Sequence, residues 1–182
     1  MLNFDFSLDK QKEILRIALL YRMEAKKCYS TKAYLAGCIM MGAALEALLL
    51  ASLNSYPPLI LDVKGVPKKD GKIKNFEDWK LNELIRVAEY LGWFPSSISS
   101  DEEWDTAKAK IGDYAKIVQH LRNYIHPVRY AKEVGRGRIT KKYLDACFNI
   151  VDNAAAHLSK VLNNNLTILR EEKEKRNNET KS

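Results

Sequence analysis

The segment that most limits how this chain can fold is residues 34–53, YLAGCIMMGAALEALLLASL, which is apolar on nearly every side of a helix. A helix at a protein surface keeps one polar face, so a helix without one belongs in a membrane or at the centre of a bundle. Its length approaches a membrane span. Glu46 near its middle decides between the two. An unpaired carboxylate in hydrocarbon costs several kcal/mol or its ionisation, and neither a second span nor a flanking cluster of Lys or Arg accompanies it. We therefore expect no membrane, and the innermost helix of an all-α bundle, with Gly37, Gly42, Ala43 and Ala44 letting neighbours pack close.

A buried Glu46 needs a partner, because hiding a lone carboxylate from water is costly. Arg122 is the most attractive one, as the only Lys or Arg between Lys116 and Arg129. It stands at the rim of a second helical stripe, where Trp104, Ala107, Ile111, Tyr114, Val118, Leu121 and Ile125 recur at steps of three and four. Val118, Arg122 and His126 form a row one turn apart beside that stripe. His126 precedes Pro127, and a residue before proline is pushed out of the α region, so it is expected to leave the helix as the chain turns. The Glu46–Arg122 pair reads either as a helix-to-helix tie or as a carboxylate orienting Arg122 in a site.

The remaining pattern predicts an antiparallel bundle of four long helices and one short one. Residues 8–29 form the first, with Leu8, Leu15, Ala18, Leu19 and Arg22 near one face. Ser30 or Thr31 offers a cap for the apolar helix that follows. From residue 54 to 78 helical periodicity fails. An irregular loop or small hairpin is expected there, with Asp70-Gly71 as the turn between 59–63 and 72–76. A shorter helix spans 80–91 and ends at Gly92, and Trp93-Phe94-Pro95 packs down by its aromatics. Ser100 and Glu103 spell a capping box for a long helix reaching residue 126, which carries Gly112 inside it. Thr140 caps a last helix to about residue 169, whose buried face is Tyr143, Cys147, Ile150, Ala154, His157 and Val161. His157 reads as a hydrogen-bonded core histidine. One domain over 1–170 is followed by a charged tail, 171–182, expected to be frayed or disordered.

Charge adds a second constraint. Of the net +7, the stretch from Arg122 to Lys142 carries +6 and that from Lys64 to Lys74 carries +4, leaving −3 for everything else. A basic run beside an Arg/His pair is the footprint of a polyanion-binding surface, with Arg129, Lys132, Arg136, Arg138, Lys141 and Lys142 as its contacts. An ordinary solvated loop reads the same way. Three cysteines without a CxxC pair fit buried thiols in a reducing cytoplasm, and the N-terminus shows no signal-peptide pattern.

The three histidines fit no metal-ligand spacing, and no phosphate-cradling glycine loop or nucleophile elbow occurs, so neither metal nor cofactor is expected. What remains is Glu46, Arg122, Asn123, His126 and Tyr130.

The helix Gly42-Ala43-Ala44-Leu45-Glu46-Ala47-Leu48-Leu49 and the stretch Leu121-Arg122-Asn123-Tyr124-Ile125-His126-Pro127 resemble the HEPN superfamily, small helical bundles of bacterial toxin–antitoxin and defence systems. The likeness covers residues 8–169 and is nearest the uncharacterised branch ending in LRN and HP. It implies a homodimer with both motifs facing one cleft, an RNA or nucleotide ligand, and an antitoxin-like protein partner. In its active members an Arg, a polar follower and a His cleave RNA without metal, and Arg122, Asn123 and His126 match these by position. Three residues separate Arg122 from His126 here, which turns the His by about 40° on an intact helix, against about 140° for one residue more. The expectation is therefore a binding or interaction module, with metal-independent endoribonuclease as the alternative.

Overall fold

A computed structural model describes residues 8–55, 60, 63–98, 103 and 105–179, with side chains between 9 and 164. Six helices and one hairpin make up these residues: α1 (Leu8–Ser30), α2 (Tyr34–Asn54), β1 (Lys68–Lys69), β2 (Lys72–Ile73), α3 (Leu81–Tyr90), α4 (Ile111–Asn123), α5 (Pro127–Glu133) and α6 (Lys141–Glu179). The chain is thus mostly helical. α2 is its axis, packed by α1, α3, α4 and α6. Its Cys38, Met41, Leu45, Leu49 and Leu53 are fully buried.

Glycines set the closest crossings. A Cβ on Gly37 would collide with Leu144 of α6, and one on Gly42 would meet the Cβ, Cγ and Cδ of Arg122 on α4. By length and composition α2 is the one helix among the described residues able to cross a membrane. Its burial against four other helices explains that apolarity as core.

The α1–α2 link corrects the expected cap. Ser30 and Thr31 hydroxyls turn back to the carbonyls of Lys27 and Cys28 and close α1 rather than opening α2. Lys32 takes the left-handed position at φ 60°, where glycine is usual, and Ala33 N–H reaches the Cys28 carbonyl at 2.8 Å. α1 presents the expected face only in part. Ala18 is buried, with Ala25, and Arg22 turns toward α6, whereas Leu15 and Leu19 point outward, because the side carrying Ala18, Tyr21 and Arg22 is the one that meets the bundle. Arg22 forks onto Asp152 of α6 with two 2.7 Å bonds.

The hairpin exists with Asp70-Gly71 at its tip (φ 52° and 75°), but the partner of β2 is Lys68–Lys69 rather than 59–63. Ile60, inside that expected strand, is buried in the core instead, and residues 59, 61 and 62 lie outside the described ones. α3 ends as expected, with Gly92 at φ 71° and Trp93 and Phe94 buried.

The long fourth helix is shorter than predicted. Ser100 and Trp104 lie outside the described residues, Ala107 sits in a turn, and α4 begins only at Ile111. Asp113 at its third position accepts the Lys110 N–H at 2.9 Å, the half of a capping box that fixes this start. Gly112 lies in the first turn, not inside a long helix, where a Cβ would strike the Phe94 and Pro95 carbonyls. α6 follows Thr140 directly, and its backbone stays helical past residue 169 to Glu179. Its buried face runs through Leu144, Cys147, Ile150, Val151, Ala154 and Leu158, while Tyr143 is exposed. His157 bonds the Trp93 carbonyl at 2.7 Å beside the Phe94 ring, hydrogen-bonded as read but half-buried at the edge of the core.

Candidate functional site

Gly42 and Glu46 are one helical turn apart on α2, so the gap left by the glycine and the carboxylate face the same neighbour. That neighbour is Arg122. Its aliphatic stem crosses α2 over Gly42, and its Nη2 then donates to Glu46 Oε2 at 2.5 Å. The carboxylate also accepts the backbone N–H of Leu81, at the start of α3. Burial pushes the Glu46 carboxyl above its usual range, and neither Arg122 nor the Leu81 N–H fully offsets it. The Glu46 side chain is 20% exposed and that of Arg122 34%, which places the pair on a rim and not deep in the core.

From Arg122 the chain tightens. Tyr124, Ile125 and His126 donate to the carbonyls of Leu121, Arg122 and Asn123 at 3.1–3.3 Å. His126 then stands in an extended conformation (φ −83°, ψ 115°), as Pro127 requires. Contrary to the expected loop, Pro127 opens α5, where its fixed φ suits the first helical position. The Tyr124 and Tyr130 rings meet edge to face at 6.0 Å across this elbow, so Tyr130 braces it. Its hydroxyl lies 3.4 Å from the Gly137 carbonyl.

The elbow, α2 and the segment before α3 enclose an open cleft of roughly 980 Å³. Arg122, Asn123, His126, Glu46, Arg129 and Lys132 all line it, so six expected site residues come together. Arg136, Arg138, Lys141 and Lys142 do not line it; they are exposed on the turn before α6 and on its first residues. The Lys141 ammonium lies 5.2 Å from the centre of the Tyr29 ring instead.

The opposite wall went unread in the sequence: Glu77, Asp78, Trp79, Lys80 and Asn82, with Gln119 from α4. No local spacing marks these residues, because only the packing of α3 on α2 brings them here. Four bases line the cleft (Lys80, Arg122, Arg129, Lys132) and four acids (Glu46, Glu77, Asp78, Glu133), so it is less basic than the run 122–142 alone implies. Two of those acids are engaged by cleft bases, Glu46 by Arg122 and Glu133 by Arg129 at 3.6 Å, while Lys10 approaches Glu77 at 3.6 Å. Lys80 and Lys132 keep uncommitted ammonium groups among the described residues.

Chemically the cleft offers two guanidinium groups, two ammonium groups, an imidazole and three side-chain amides. That set can hold a phosphodiester through charge-assisted hydrogen bonds. No family model, curated protein or solved structure matches the chain.

Proposed function

We propose that this chain is a HEPN-like module that binds a phosphodiester strand, single-stranded RNA in the first instance, in the cleft between α2, α3 and the α4–α5 elbow. The observation that carries this reading is the convergence of Arg122, Asn123, His126, Arg129, Lys132 and Lys80 on one open cleft. Binding is favoured over cleavage because Glu46 already holds Arg122, and the His126 side chain makes no hydrogen bond to the helix it precedes. A proton-transfer group works only when held at hydrogen-bond reach of the reacting oxygen. The HEPN resemblance supplies RNA as the ligand and a defence or toxin–antitoxin setting in the cytoplasm, with an antitoxin-like partner.

The test is a labelled single-stranded RNA with wild type, Arg122→Ala and His126→Ala in the presence of EDTA. Binding without cleavage is expected, and Arg122→Ala should weaken it about tenfold, or about 1.4 kcal/mol. His126→Ala should change affinity much less. Cleavage by the wild type, lost by a factor of about 10²–10⁴ in His126→Ala, would replace this reading with the endoribonuclease.

The same reading places a second copy over the elbow, which supports a homodimer. Ile125 and Val128 stand on either side of His126 and Pro127 in the chain and are 60% and 81% exposed, an apolar pair on the elbow of which Val128 lines the cleft. Sedimentation velocity at micromolar protein should show a dimer that Val128→Asp converts to monomer. A wild type that sediments only as monomer contradicts it.

A further inference from the structure

The second basic cluster, Lys64 to Lys74, has no part in the cleft, yet the fold sets it beside one. Five lysines and Asp70 make up its charge. One of the five is structural: Lys74 is held by both Glu83 oxygens at 2.8 and 3.0 Å, the side chains on each side only 16% exposed. The Trp79 indole N–H donates to the Lys74 carbonyl at 3.1 Å, and the Lys74 N–H to the Pro67 carbonyl at 2.9 Å. These bonds pin the base of the hairpin to the start of α3. At its tip Lys68, Lys69 and Lys72 are exposed and without an ionic partner among the described residues.

Beside the tip runs a shallow groove of about 450 Å³, lined by Lys69, Lys72 and Asp78 among others. Asp78 also lines the cleft. Asp78, at the end of the short 3-10 turn Phe76–Asp78, is therefore common to the walls of both hollows.

We infer that the hairpin lysines, Lys69 and Lys72 on the groove and Lys68 beside it, continue the cleft as a track for the backbone of a longer strand. This rests on the cleft reading above. The tip offers ammonium groups, one carboxylate and glycine backbone with no exposed apolar or aromatic side chain. A protein interface needs a desolvated apolar centre, whereas a phosphate backbone needs spaced positive charge alone. From Lys72 to Asp78 the chain reaches at most about 20 Å. That is roughly six nucleotides of stacked strand.

The experiment compares a trinucleotide with a single-stranded RNA of about twelve nucleotides, on wild type and on Lys68→Ser/Lys69→Ser/Lys72→Ser. A Lys→Gln triple serves as a second variant, and thermal melting checks the fold of both. The triples should lose about tenfold in affinity for the long strand, with the salt slope shallower by about two. Trinucleotide binding should stay as in wild type. Equal loss on both lengths, or no loss on the long strand, overturns the track while leaving the cleft intact. If wild type binds neither RNA, the cleft reading fails and the track with it. If an acidic peptide binds as tightly as the long RNA and with the same lysine dependence, the tip is a protein contact instead.

Discussion

Replacing Asp113 with alanine should lower folding stability by about 3–5 kcal/mol, because three backbone donors would lose one carboxylate. Asp113 is 3% exposed and accepts the N–H of Lys110 at 2.9 Å, of Ser97 at 2.9 Å and of Ile98 at 3.3 Å. It thus starts α4 and fastens the segment after Phe94 to it in a single contact. In a chain of this size the loss corresponds to about 6–20 °C in Tm.

The pH dependence follows from the same bonds. Burial alone would push the Asp113 carboxyl up, but the three N–H groups outweigh it and hold it below its usual range. A carboxylate depressed in the folded state contributes stability above its unfolded pKa, near ~3.9. That contribution drains away as pH falls through the lower, folded value. The Tm gap between wild type and Asp113→Ala should therefore be widest at neutral pH and narrow in acid. A gap that is small at neutral pH, or constant on acidification, would show that Asp113 is not what fastens the start of α4.

Asp113 also marks the limit of what the sequence discloses. Ser100-x-x-Glu103 and Lys110-x-x-Asp113 are equally local patterns, and the first has the better capping residue at its head. Ser100 lies outside the described residues, and α4 starts from the second, where Asp113 also satisfies Ser97 and Ile98, fifteen or so positions upstream, which no local spacing records. α2 was legible for the opposite reason. Apolarity on every side leaves few environments, and one acid within it calls for one base, so Glu46 pointed to Arg122 across 76 positions. The exit of His126 before Pro127 and the stop at Gly92 were legible because proline's restriction of its predecessor and glycine's tolerance of positive φ are intrinsic; that Pro127 opens a further helix was not.

The exposed Leu15 and Leu19 were misassigned since periodicity gives the angle between residues but not which side meets the core. The elbow half of the cleft was readable from Leu121 to Pro127. The Glu77–Asn82 half belongs to tertiary packing.

The second large effect concerns what Glu46 does to Arg122. Glu46→Gln should tighten phosphodiester binding ten- to a hundredfold. In the free protein Arg122 is committed to a carboxylate that would also face any phosphate entering the cleft. A like charge about 6 Å from the phosphate costs up to about 3 kcal/mol at the effective dielectric of a protein surface. Glutamine keeps an oxygen for the Arg122 and Leu81 donors and removes the charge. Folding should suffer little. Burial raises the Glu46 carboxyl despite both donors, and a carboxyl raised in the folded state contributes stability below its unfolded pKa that is lost as pH rises through the folded one. Above that range the wild type carries an unfavourable charge that the variant lacks, so the Tm of Glu46→Gln should equal or exceed that of wild type near neutral pH.

By the same logic wild-type affinity should climb as pH falls through the raised Glu46 value, and the variant should lack that component. The groups facing the carboxylate are Arg122 and the Leu81 N–H, with Lys80 and His126 on the same cleft. Since imidazole protonation would also strengthen anion binding, the pH series belongs in a His126→Gln background. Fluorescence anisotropy with a short single-stranded RNA reads both effects. Unchanged or weaker binding by Glu46→Gln would mean that Arg122 does not meet the ligand, and that its pairing with Glu46 serves only to join α2 to α4.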